Sequence, residues 1–151
     1  MRVYQTISLI IAALTLSVML SSCKSDPLLI PNVPEIELLD VSPIAVKAFK
    51  DSIVFRIQYT DGDGDLGTND DSERNVFLQD DRIAATHSFR LQQIAPDGSE
   101  VAVRGTFSLT LPNTLITDGS AQQEASFTLY VVDRAGNESN RVQSPIILVS
   151  E

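Results

Sequence analysis

Ile53, Phe55, Ile57 and Tyr59 hold one set of alternate positions within residues 52–60, and Val54, Arg56, Gln58 and Thr60 hold the other. A period of two puts the first set on one face of an extended chain and the second on the opposite face, which is the pattern of a half-buried β-strand. From Pro34 onward the same period recurs between breakers, and no long segment carries the spacing of an amphipathic helix. The chain is therefore expected to fold as an all-β domain.

Seven strands are predicted, at residues 35–41, 52–60, 75–79, 88–95, 101–111, 125–132 and 142–149. The facing of the first is ambiguous, because its apolar residues fall on both parities. Gly105 suggests a bulge in the fifth strand, and Pro145 gives the last the character of an edge strand. Pro96-Asp97-Gly98 supplies turn chemistry between the fourth and fifth. Short strands at this density, without helices, predict an antiparallel β-sandwich of about seven strands. Aromatic residues make up 6% of the chain and Trp is absent, so the core must rest on Val, Ile, Leu and Phe. Residues 34–151 suffice to bury such a core without disulfides.

The start of the chain is of another kind. Arg2 precedes an apolar run at residues 7–20, long enough for the core of an export signal but short of the roughly 20 residues of a spanning helix. Leu20-Ser21-Ser22-Cys23 follows, and it resembles the bacterial lipobox, in which small residues precede a cysteine that accepts lipid through its thiol and becomes the new N-terminus. This resemblance implies a lipoprotein signal peptide at 1–22, a lipidated Cys23 with an extended tether at 23–33, and the folded domain at 34–151. The cysteine is the only one in the chain, so no internal disulfide competes for it. Lys24, in place of Asp, points to the outer membrane by the same resemblance.

The formal charge is −9, and loss of Arg2 with the leader makes the mature chain one unit more negative. Phosphate-rich partners are recognised through Lys and Arg, so the balance argues against nucleic acid. A bound cation suits it better. Asp61, Asp63 and Asp65 alternate with Gly62 and Gly64, a spacing that lets three hard oxygen ligands converge, as Ca²⁺ requires. An EF-hand is excluded, because Leu66 stands at the sixth position, where Gly is required, and Ser72 at the twelfth, where a bidentate Glu belongs. Between Asp61 and Asp81 eight acids face a single base, Arg74. Such crowding fits either a calcium loop of another kind or a solvated acidic turn.

Tyr59-Thr60-Asp61-Gly62-Asp63-Gly64-Asp65-Leu66-Gly67, together with Val132-Asp133-Arg134-Ala135-Gly136-Asn137-Glu138-Ser139-Asn140, resembles the immunoglobulin-like domains of small Bacteroidetes lipoproteins. In that fold the loops after the second and sixth strands share one pole. Asp133 and Asn137 would then either complete the shell of the cation or cap a turn with Gly136.

His87 is the only histidine and has no catalytic set beside it, and no serine sits in a Gly-x-Ser-x-Gly elbow. The expected function is a non-enzymatic, lipid-anchored envelope module. It would present a calcium-stabilised loop pole to another envelope protein or an extracellular ligand. The alternative is a glycan-binding accessory lipoprotein of the outer membrane. That alternative needs clustered exposed aromatics, whereas Tyr59 and Tyr130 read as sheet packing.

Overall fold

A computed structural model of the chain describes residues 30–151, so the expected leader and Cys23 lie outside the described residues. The described chain is all-β: β1 (Glu35–Ser42), β2 (Ala45–Lys47), β3 (Ile53–Asp61), β4 (Val76–Asp80), β5 (Ala85–Phe89), β6 (Val103–Leu111), β7 (Gln122–Ala125), β8 (Phe127–Val131), β9 (Val142–Gln143) and β10 (Ile147–Ser150). These strands form three sheets, ordered β1-β3-β6, β5-β4-β8-β9 and β2-β10-β7. Pairing is antiparallel except between β2 and β10. The arrangement is compatible with a β-sandwich.

The alternation in β3 is realised as predicted, with Ile53, Phe55, Ile57 and Tyr59 buried against the core. Phe55 meets Phe127 of β8 edge-on, with ring centroids 5.7 Å apart, and this contact joins two sheets. The ambiguous facing of β1 has a cause. The register slips between Leu38 and Asp40, so Ile36 and Val41, five residues apart, are both buried while Leu39 is left exposed. Gly105 marks no bulge: it pairs with Tyr59 in a continuous register, and a Cβ there would collide with the Tyr59 ring.

Ten strands replace the predicted seven because two of the predicted runs divide and one is added. The run at 125–132 breaks at Ser126, so that β7 pairs with β10 while β8 pairs with β4. The run at 142–149 breaks around Ser144 and Pro145, and the chain passes from the side of β8 to the side of β7. β2 is the addition. The predicted strand at 88–95 lies too late in the chain. β5 ends at Phe89, and the Leu91 N–H then donates to Asn75 Oδ1 at 2.6 Å, which draws the following residues out of the ladder.

Asn140 closes the structure on the β1 side. Its amide accepts from Ile36 N–H at 2.8 Å and donates to Ile36 C=O at 2.9 Å, and so stands in for a strand neighbour. The two ends of the domain differ. β3 runs toward an acidic end at Asp61. At the far end Arg82 grips Asp80, the last residue of β4, with Nη2 to Oδ2 at 2.6 Å and Nε to Oδ1 at 2.9 Å. The same guanidinium donates to Leu115 C=O, Gln123 Oε1 and Thr114 Oγ1, which fastens the segment after β6 and strand β7 to β4.

Candidate metal centre

Asp61 continues the parity of Ile53, Phe55, Ile57 and Tyr59, so as the final residue of β3 its carboxylate points into the domain and is fully buried. Only Oδ2 is satisfied, by the Leu66 N–H at 2.9 Å. Leu66 is itself wholly buried, so its side chain plugs the core while its amide folds the loop back onto Asp61. Gly64 sits at φ 74°, a left-handed conformation that a side chain disfavours, and this reverses the chain between Asp63 and Asp65.

The backbone of the loop is tied on three sides. Gly62 N–H donates to Pro31 C=O at 2.8 Å, Asp63 C=O accepts from Val101 N–H at 3.2 Å, and Asp65 C=O accepts from Arg134 N–H at 3.3 Å. The carboxylates face inward. One oxygen of each of Asp61, Asp63 and Asp65 lies within 4.8 Å of the others. The Oδ1 atoms of all three are buried without a hydrogen-bond partner. Unpaired carboxylate oxygens out of water are costly, and a shared divalent cation is the group whose chemistry satisfies them together.

Burial is the largest influence on Asp61. It pushes the carboxyl up to about 6, against the Leu66 N–H bond and with help from the charges of Asp63 and Asp65. Asp65 is also raised, first by burial and then by Asp133 and Asp63, while the Ala135 N–H and Arg134 oppose the shift. The neutral form of Asp61 therefore favours the metal-free fold. Its stabilising contribution is complete below about pH 4 and is lost as the pH rises through about 6. Metal-free Asp61→Asn should accordingly melt above the metal-free parent at pH 7, and the gap should close as the pH falls toward 4. Melts across that range check this. A constant gap would mean that the carboxylate is not held against its charge.

Asp133, for which ligand and turn roles are both open, is held within a turn. Its Oδ1 accepts from Asn137 N–H at 2.7 Å and its Oδ2 from Asn137 Nδ2 at 2.8 Å, so both oxygens are engaged inside their own loop. It stands beside the three converging acids as a charge felt by Asp65, and its loop reaches them through the bond from Ala135 N–H to Asp65 Oδ2 at 3.0 Å. A polar cleft of about 360 Å³ borders this junction, lined by Thr68, Glu73, Arg74, Asn75, Asp133 and Arg134 among others. Two features escaped the sequence reading. The inward parity of Asp61 was legible by carrying the β3 alternation one step further, whereas the Asp80 to Arg82 pair left no signal in spacing. Cys23 lies outside the described residues.

His87 lies on the exposed strand β5. Tyr59 is buried, and Tyr130 stacks on Phe77 with centroids 5.0 Å apart on the outer face of β4 and β8. The Arg141 guanidinium lies 3.9 Å from the centroid of the Tyr130 ring and covers it.

No protein-family model matches the sequence, and no curated protein matches it. Among solved structures the chain is similar to the X-ray structure of Northeast Structural Genomics Consortium target SoR45, with 11% identity over 78% of this chain and 83% of that one. The TM-score is 0.30, too low for that likeness to support a fold or a function.

Proposed function

We propose that the protein is a lipid-anchored, non-enzymatic module of the bacterial outer envelope, held by lipid on Cys23, whose immunoglobulin-like domain carries a calcium-stabilised loop pole. The observation that carries this reading is the convergence of three donorless, buried carboxylate oxygens at Asp61, Asp63 and Asp65. Their convergence suits a shared cation. Bound there, Ca²⁺ would supply charge neutralisation, and the three loops tied to the acidic backbone would be fixed as one surface for an envelope protein or an extracellular ligand.

Strand order supports the immunoglobulin-like assignment. If β1, β3 and β6 are taken as A, B and E, and β5, β4, β8 and β9 as C′, C, F and G, these two sheets follow the order of that fold. The acidic loop then becomes the B–C loop and the Asp133 turn the F–G loop, which share a pole in such domains. The glycan-binding alternative gains less, because the stacked Phe77 and Tyr130 pair is covered by Arg141 on the tyrosine ring.

Anchoring is tested by substitution. Cys23→Ala should remain as an unlipidated precursor and move the protein from the detergent phase to the aqueous phase, because stable attachment needs the acyl chains. If the variant partitions with detergent as the parent does, the anchor lies elsewhere.

A further inference from the structure

We infer that cation binding at Asp61, Asp63 and Asp65 clamps the membrane tether onto the domain, through Gly62. This rests on the calcium reading above and adds a mechanical output to it. Gly62 lies between two of the three acids, and its N–H donates to Pro31 C=O at 2.8 Å. A Cβ at this position would collide with the carbonyl oxygens of both Ile30 and Pro31, so the tether backbone lies directly against the loop. Ile30 is half-buried there, residues 31–33 are exposed, and Pro34 is buried at the entrance to β1. The peptide that holds the tether is thus the peptide that links two ligands. Without a cation, three carboxylates within 4.8 Å repel one another, and the strain falls on the backbone between them. A cation removes the repulsion and fixes the orientation of the Gly62 N–H. Loop geometry and tether docking become one equilibrium, biased by the ion.

The test uses the mature lipidated protein in detergent micelles, with Ca²⁺ as the probe, calorimetry for binding, and amide hydrogen exchange at Gly62 and Val101. Val101 reports the loop alone, because its N–H donates to Asp63 C=O at 3.2 Å. Calcium should slow exchange at both amides, at Gly62 by roughly tenfold, the scale of one well-packed backbone hydrogen bond. Gly62→Ala removes no carboxylate. Because docking and binding share one equilibrium, it should bind calcium more weakly and lose protection at position 62, while saturating calcium still protects Val101. Should that variant fail to fold, Ile30→Gly with Pro31→Gly loosens the clamp from the tether side and should give the same split. Binding heat in the parent, with protection at Val101 but none at Gly62, would overturn the clamp and leave the cation site standing. No binding heat in the parent would overturn both.

Discussion

Metal-free protein is expected to melt roughly 5 to 15 °C below the same protein in a hundredfold excess of calcium over Kd. The three Oδ1 atoms have no donor and are shielded from water, so the folded state alone presents them as a preformed set. An ion that binds only this state stabilises it by RT ln(1 + [L]/Kd), about 2.7 kcal/mol at that excess. Mg²⁺ should do less, since it gives up water reluctantly and demands octahedral geometry. Asp63→Asn with Asp65→Asn should weaken binding and keep the fold, because both residues lie beyond the end of β3. Melts in chelator and in millimolar calcium, with calorimetry on the same samples, decide the matter. Equal melting temperatures and no binding heat would mean that Asp61, Asp63 and Asp65 form an acidic turn that holds no cation.

Arg82→Met should lower the stability by about 3 to 5 kcal/mol, the cost of leaving a buried carboxylate without its partner. The side chains of Arg82 and Asp80 are 9% and 5% exposed, so water cannot replace the lost guanidinium. Three further acceptors at Leu115, Gln123 and Thr114 lose a donor at the same time. For a domain of this size the melting temperature should fall by roughly 10 to 20 °C. Adding Asp80→Leu to Arg82→Met should recover part of the loss, since it is the unpaired charge that is expensive. Urea midpoints of the three proteins measure this. A single variant within about 1 kcal/mol of the parent would show that the pair is solvated in practice.

The sequence exposes β3 and most of β6 because both obey strict alternation over nine residues. It hides β1 because one slipped residue between Leu38 and Asp40 inverts the parity, which composition does not mark. Pro145 is visible as an interruption, yet the change of sheet at that point depends on which neighbours are free to pair, a property of the whole fold. The acids of the candidate site are evident from their spacing. Their inequality is less plain: Asp61 belongs to a core-facing strand position, which shows only when the β3 alternation is carried one residue further, while Asp63 and Asp65 belong to a loop. Asp133 reads in the sequence as either ligand or turn residue, and only the folded chain shows that Asn137 engages both of its oxygens.

The position at which residues 30–34 join β1 sets how the domain would bear force. The chain enters beside Gly62 at the acidic end, and β1 then runs antiparallel to β3 from Glu35 opposite Thr60 to Ser42 opposite Val54. A pull on the chain ahead of Glu35, resisted at the opposite end of the domain, is directed along β1, and it loads the hydrogen bonds of that ladder side by side. Bonds loaded in shear must give way together, whereas a strand peeled from its end loses them singly. Tension entering through residues 30–34 would therefore meet a joint that resists as a unit.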